Sequence, residues 1–203
     1  MSAMINLRKG EGINLTKTKP SLSNIRVGLG WNENGNNIDL DASVFVCGNR
    51  NGETKLISER HFVFYNNSVG ANGAVTHKGD NKTGAGDGDD EVVSIDLTTV
   101  PAEVNKIVFT VTIHEAEARK QNFGQVRNSY IRIVDDASGQ EIAKYELDED
   151  FSIETAVEFG RLYKKDGKWK FEASGIGYKE DLSFFLSKYY MLLVLLLCFL
   201  FFL

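Results

Sequence analysis

The sequence has little cysteine, little proline and no basic run, and each scarcity excludes a class of protein. Its two cysteines, Cys47 and Cys198, lie far apart and outside any CxxC spacing, which excludes a disulfide framework and a zinc or redox motif of that kind. With only two prolines and ordinary apolar and charged fractions, the chain is neither disordered nor collagen-like. The formal net charge of −5 excludes nucleic acid as an expected partner and favours cations. We expect one globular domain.

The two ends of the chain differ sharply in hydropathy. Residues 1–12 contain no apolar stretch of the ~7–15 residues that a secretion signal requires, so we expect a cytoplasmic protein. Residues 191–203 read MLLVLLLCFLFFL, which at ~1.5 Å per residue spans ~20 Å, less than the ~30 Å of a bilayer core. We therefore divide the chain into a domain over residues 1–190 and an apolar tail. The tail is a peripheral membrane anchor, a packing helix or an artefact, and the sequence leaves all three open.

Apolar residues alternate with period two along most of the chain, which predicts β-strands. The clearest strand is Lys106–His114, in which Ile107 and Phe109 begin one apolar face. Asp166-Gly167 is a dipeptide typical of a type I′ turn and predicts a hairpin between Arg161–Lys165 and Lys168–Ala173. Further strands are predicted near Ile25–Leu29, Leu40–Val46, Phe62–Tyr65, Val92–Leu97, Tyr130–Val134 and Ile142–Leu147.

Helical periodicity is scarce. Glu115–Gln121 predicts a short helix, and a second is predicted to begin near Asp181. Many short strands joined by Gly, Asn and Asp turns indicate an all-β fold. A β-sandwich with a few short helices is the leading architecture, and an open barrel is the alternative.

The most acidic segment is Gly79–Glu91, which we call the acidic loop. Its sequence, GDNKTGAGDGDDE, holds five carboxylates and four glycines against one lysine. Carboxylates this close repel one another unless solvent or a cation screens them. Calcium takes ~6–8 oxygen ligands, and a flexible acidic loop offers both carboxylates and carbonyls. A solvated loop without metal is the alternative reading of the same composition.

A second acidic group lies in Asp39–Ser43, with the sequence DLDAS. On a strand, Asp39, Asp41 and Ser43 project to one face, while the residues between them pack inward. The spacing is not that of an EF-hand, because Val44 and Arg50 stand where that loop needs Gly and Glu. We therefore predict one metal site built from two distant segments.

Other chemistry is less well supported by the residues. The histidines are scattered and form no HExxH motif, and no GxSxG elbow marks a nucleophile. Gly28-Leu29-Gly30 begins like a dinucleotide fingerprint, but Glu33 replaces its third glycine. An enzyme that uses the same carboxylates to position a substrate is the alternative from another functional class.

Several long motifs, in order, resemble the TerD family of tellurium-resistance and general stress proteins. They cover most of the chain between residues 5 and 178. They are GLGW (28–31), DLDASVF (39–45), FVFYNN (62–67), GAVTHKGDNKTGAGDGDDE (73–91), VPAEVNKIVFTVTIHEAEARKQNFGQVRNSYIRI (100–133) and ETAVEFGRLYKKDGKWKF (154–171).

The resemblance implies a β-sandwich that binds Ca²⁺ through its acidic loops, in bacteria that resist tellurite or general stress. Two departures from the family pattern are Asn32, which stands where the family has Asp, and the sequence from Lys179 onward. The leading hypothesis is a non-enzymatic, calcium-binding stress protein whose partners are calcium and other stress-operon proteins. The metal ligands implied are Asp39, Asp41, Asp80, Asn81, Asp87, Asp89, Asp90 and Glu91, with Asn66 as a further candidate.

Overall fold

The protein is described here by a computed structural model that covers residues 4–33, 38–79, 88–147 and 151–190. The strands are β1 Ile5–Leu7, β2 Gly12–Asn14, β3 Asn24–Glu33, β4 Leu40–Arg50, β5 Glu53–Leu56, β6 Phe62–Val63, β7 Val69–Gly70, β8 Val75–His77, β9 Glu91–Asp96, β10 Lys106–Ile113, β11 Val126–Asp135, β12 Glu141–Glu146, β13 Ala156–Lys165 and β14 Lys168–Tyr178. The helices are α1 Leu15–Thr18, α2 Ala116–Arg119 and α3 Leu182–Tyr189.

The strands form two sheets. In the first sheet the strand order is β1-β12-β11-β3-β9-β8-β7, and in the second it is β2-β14-β13-β10-β4-β5, with β6 also paired to β4. The β1–β12 pair is parallel, and the other strand pairs of the described residues are antiparallel. Two separate sheets confirm the predicted sandwich over the open barrel.

The main apolar core lies between the sheets and follows the predicted alternation. On β4, Leu40, Ala42 and Val44 are buried in this core. Phe45 and Cys47 of the same strand belong instead to a second apolar cluster on the outer face of the second sheet, where Phe185 and Tyr189 of α3 cover them. Strands β4 and β10 therefore read as nearly continuous apolar runs, because both of their faces are buried.

The predicted hairpin is confirmed. Strands β13 and β14 pair up to Lys165 and Lys168, and the turn residues Asp166 and Gly167 have φ of 54° and 70°. Two positive φ angles are what a type I′ turn requires. The short helix expected within 115–121 is present as α2, and the C-terminal helix is present as α3. Asp181 caps α3 by accepting from the Ser183 amide.

One predicted strand is shorter than expected. Phe62–Tyr65 was expected to be extended throughout, yet only Phe62 and Val63 belong to β6. Phe64 and Asn67 exchange backbone hydrogen bonds of 3.0 and 3.1 Å across a tight turn, which reverses the chain at Tyr65. The turn is favoured over a continued strand because the Asn67 side-chain amide also donates to the Phe62 carbonyl.

The topology gathers several connections at one end of the sandwich, which we call the acidic end. Strands β9 and β11 run antiparallel to β3, so both begin where β3 ends. Strand β4 follows β3 and begins at the same end, and its antiparallel neighbour β10 ends there. The acidic end therefore contains the end of β3 and the starts of β4 and β9, next to which the described residues of the two acidic segments lie. Within the described residues, no helix is long and apolar enough to cross a membrane.

Candidate metal site at the acidic end of the sandwich

Asp89 lies on the outer face of the first sheet and is held by two side chains of β11. Arg132 Nε donates to Asp89 Oδ1 at 2.7 Å, and Arg132 Nη2 donates to Oδ2 at 3.1 Å. The Tyr130 hydroxyl donates to Oδ1 at 3.0 Å and lies 2.8 Å from the Gly88 carbonyl. The hydrogen bonds to Asp89 raise the pKa of Arg132, and burial together with the Asp89 charge raises the pKa of Tyr130. This ion pair is bidentate, the strong form of a guanidinium–carboxylate contact.

Two glycines of β3 make room for this ion pair. A Cβ atom at Gly28 would lie 2.1 Å from Asp89 Oδ2, and one at Gly30 would lie 2.4 Å from Cζ of Tyr130. Both glycines face outward because their neighbours Val27 and Leu29 are buried in the core. We call this gap the glycine trough. The Gly28-Leu29-Gly30 motif thus seats a carboxylate and a tyrosine ring.

Asp90 is pinned to the backbone of β3. Its amide donates to the Leu29 carbonyl at 2.8 Å, and its Oδ2 accepts from the Trp31 amide at 2.8 Å. Asp90 is buried, with 9% of its surface exposed. The hydrogen bond from the Trp31 amide gives one oxygen of this buried carboxylate a partner.

Glu91 points into the sandwich. It is the first residue of β9, on the same face as Val93 and Ile95, and only 1% of its side chain is exposed. Its Oε2 lies 2.7 Å from His77 Nε2 on the neighbouring strand β8. A buried acid of this kind is tolerated when a polar partner accompanies it into the core.

Asp39 and Asp41 lie at the start of β4 in the second sheet. Both are half-buried. The Asp39 carbonyl accepts from the His114 amide at 2.8 Å, and His114 Nδ1 lies 3.6 Å from Asp41 Oδ2. This pair of acids is therefore a second acidic group at the same end of the molecule.

The other predicted ligands are not brought into this arrangement by the described residues. Asn66 is exposed at the tip of the turn between Phe64 and Asn67. Asp80, Asn81 and Asp87 lie outside the described residues. Among the residues that are described, no group of three or more His, Cys, Asp or Glu side chains is placed to hold a metal ion. The described acids thus form separate groups on the two sheets rather than a complete shell.

The oxygen donors at the acidic end still limit which ion could bind. Carboxylates and backbone carbonyls are hard ligands that suit calcium or magnesium, and thiolate ligands for a soft metal are not among them. The one cysteine within the described residues, Cys47, is buried under α3.

Sequence reasoning missed the partners of these acids. Arg132 and Tyr130 are two residues apart on a predicted strand, so their shared face could have been read from the sequence. Their contact with Asp89 could not, because it depends on the order β11-β3-β9 within the sheet. His77 was missed for the same reason, since only the pairing of β8 with β9 brings it to Glu91.

The fold and the site define a two-sheet β-sandwich with paired acidic segments at one end. A sequence model of the TerD domain matches residues 3–189. The chain is 51% identical over 183 residues to General stress protein 16U of Bacillus subtilis (strain 168), covering 88% of this chain and 93% of that protein. It is 50% identical over 188 residues to the tellurium resistance protein TerD of Alcaligenes sp, covering 91% and 96% of the two chains.

The chain therefore belongs to the TerD family, whose members include tellurium-resistance and stress-response proteins. The crystal structure of a Streptomyces coelicolor A3(2) homologue of the telluride resistance protein TerD has the same fold. Its TM-score is 0.64 at 17% identity, and the match covers 81% of this chain and 95% of that one.

Proposed function

We propose that this protein is a non-enzymatic stress-response protein of the cytoplasm that binds calcium at its acidic end and presents that end to partner proteins. The observation that carries the proposal is topological. The two acidic segments are far apart in the sequence, yet the connections that carry them leave β3 and enter β9 at the same end of one sandwich.

The connection between β3 and β4 limits how far apart the two acidic groups can lie. Asp39 follows Glu33, the last residue of β3, by 39 − 33 = 6 residues, a stretch that spans at most ~20 Å when fully extended. Asp39 and Asp41 would contribute oxygens from the second sheet, and Asp90 would contribute from the first. The resemblance adds Asp80, Asn81 and Asp87 as further predicted ligands, and bound calcium would supply the positive charge that offsets repulsion among these acids.

The surroundings of the β9 acids support a structural role over catalysis. Asp89 bonds Arg132, Asp90 bonds the Trp31 amide, and Glu91 lies against His77. Carboxylates engaged in this way hold strands in register, whereas a catalytic carboxylate needs access to a substrate.

Calcium should raise the stability of the native protein. Binding to the folded state contributes ~2.7 kcal/mol when free calcium is a hundred times its dissociation constant. For a chain of this size that shifts the thermal midpoint upward by about 5–10 °C. The measurement is the midpoint in millimolar calcium against excess chelator, and magnesium should give a smaller shift because it releases its water reluctantly.

Three variants make this experiment specific. Asp41→Asn and Asp90→Asn remove one charge each at the acidic end, and the amide oxygen that Asp90→Asn introduces can still accept from the Trp31 amide. Both should reduce the calcium-dependent shift. Asp166→Asn is the matched control, because it removes one charge at the opposite end in a turn that Asn suits, and it should leave the shift unchanged. An identical midpoint in calcium and chelator for the native protein would reject the proposal.

A further inference from the structure

We propose that Asp89 is the anchor of the acidic loop and not one of its calcium ligands, and that Arg132 is the positioning residue that holds it. The calcium part of this inference rests on the proposed function. The anchoring part does not, because it follows from contacts among residues that the structure describes.

Both carboxylate oxygens of Asp89 are already occupied. Oδ1 accepts from Arg132 Nε and from the Tyr130 hydroxyl, and Oδ2 accepts from Arg132 Nη2. Only 8% of the Asp89 side chain is exposed. A calcium ion at ~2.3–2.6 Å from these oxygens would lie beside the guanidinium and be repelled by its positive charge. Asp89 is thus poorly placed to serve as a ligand.

Arg132 is itself fixed from its other side. Its Nη1 donates to Glu141 Oε2 on β12 at 2.9 Å, so the guanidinium is held between two carboxylates. Strand β12 neighbours β11 in the sheet, which makes this second contact part of the sheet framework. The orientation of Arg132 therefore does not depend on the acidic loop. Arg132 is therefore already oriented to bind the Asp89 carboxylate, and we call this binding position the seat of Asp89.

The glycine trough completes the seat. Asp89 lies directly over Gly28, where any side chain would collide with its carboxylate, and Tyr130 lies over Gly30 in the same way. The trough therefore has the shape of the anchored state. With Asp89 in this position, the next residue, Asp90, lies within hydrogen-bonding distance of the Leu29 carbonyl and the Trp31 amide. Asp90 is in this way held at the acidic end without calcium.

The first test needs no metal. In excess chelator, Arg132→Gln and Asp89→Asn should each lower the thermal midpoint by about 3–8 °C, since the first leaves Asp89 without its cation and the second leaves Arg132 with Glu141 alone. The double variant should fall little further than Arg132→Gln alone, because both changes break the same contact between Asp89 and Arg132. Full additivity of the two losses would overturn the anchor.

A glycine series tests the seat itself. Gly28→Ala should lower the midpoint strongly in the native background, because its Cβ meets the Asp89 carboxylate. In an Asp89→Ala background the same change should cost much less, since the three nearest atoms are then gone. An equal loss in both backgrounds would show that the trough does not seat Asp89.

The second test separates an anchor from a ligand by the sign of one effect. Calorimetric titration with calcium should show Arg132→Gln and Asp89→Asn each weakening affinity roughly tenfold, as expected when a group that orients ligands is lost. If Asp89 were a ligand that Arg132 competes for, Arg132→Gln would tighten calcium binding. That result would overturn the proposal, as would loss of binding in Asp89→Asn with an unchanged midpoint in chelator.

Arg161→Gln is the matched control for both tests. Arg161 is 31% exposed against 30% for Arg132, and it donates to Glu172 at 2.6 Å in the second sheet. Its loss should lower the midpoint and leave calcium affinity unchanged. If the native protein shows no calcium response at all, the proposed function fails, while the chelator cycle and the glycine series still decide the anchor.

Discussion

Glu158 is a carboxylate buried outside the main core, and its partners show how this protein accommodates charge. Only 1% of the residue is exposed, on the outer face of the second sheet. The Ser174 hydroxyl donates to Oε1 at 2.9 Å, and the Tyr189 hydroxyl donates to Oε2 at 3.2 Å. Burial and the Glu158 charge raise the pKa of Tyr189, so its hydroxyl stays protonated and remains a donor. The hydrogen bond from Tyr189 ties α3 to Glu158, whereas a buried carboxylate without such donors would destabilise the packing of the helix on the sheet.

Cys47 should be chemically inert in the folded protein. Burial raises the pKa of its thiol to about 12, and at pH 8 only about one such thiol in ten thousand is ionised. In a Cys198→Ser variant, which leaves Cys47 as the single thiol, a chromogenic disulfide reagent should react at the rate of unfolding. The same variant in denaturing urea is the positive control. Rapid stoichiometric labelling under native conditions would contradict the burial of Cys47.

At the scale of elements, α3 acts as a cover for the second sheet. Its Phe185 and Tyr189 rings pack on Phe45, with ring centroids 6.2 and 4.8 Å away. Lys55 of β5 donates to the Lys188 carbonyl at 2.9 Å and so satisfies an acceptor in the last turn of the helix. Sheet and helix thus bury an aromatic cluster that neither would bury alone.

Removing the central ring of this cover should be costly. Phe185 is fully buried, and Phe185→Ala should lower the free energy of unfolding by about 3–5 kcal/mol through lost burial and the remaining cavity. Urea titration followed by far-ultraviolet circular dichroism measures this loss. Ser187→Ala, at an exposed position of the same helix, is the control and should change stability little. Equal stability of the two variants would mean that α3 does not cover the sheet.

Most strands that the sequence predicted are long, and those that it missed are short. Long central strands such as β10 carry enough alternation to be recognised, and the β13–β14 hairpin carries its own turn signal. The short strands β1, β2, β5, β7 and β8 were not predicted. Each has two to four residues, and it is extended because a neighbour pairs with it rather than because of its own side chains.

At the scale of the whole molecule, the site was predicted only in part. The DLDAS pattern and the acidic loop identify the two acidic segments, whereas their common end follows from the strand pairing. The anchoring of Asp89 by Arg132 and the inward turn of Glu91 to His77 depend on which strands are neighbours. Neighbours in a sheet are set by non-local pairing, which local periodicity does not encode.

The apolar tail should be dispensable for the domain. The described strands and α3 all precede residue 191, and Tyr190 already packs with Phe62 in the outer cluster. A chain that ends after Tyr190 should unfold cooperatively at nearly the native midpoint. A chain that ends after Tyr178 is the informative counterpart, because it loses α3 and exposes Phe45 and Cys47. Failure of the chain that ends after Tyr190 to fold would show that the tail belongs to the core.

The order of strands in space also constrains how the chain can be made. Strand β2 forms its ladder with β14, the last strand of the described residues, and β3 lies between β9 and β11, which are synthesised later. Pairings this distant in sequence form slowly. During translation, β1 and β2 therefore emerge from the ribosome long before β12 and β14, the strands that complete their backbone hydrogen bonds. This period of exposure is when a nascent chain of this design most needs a chaperone.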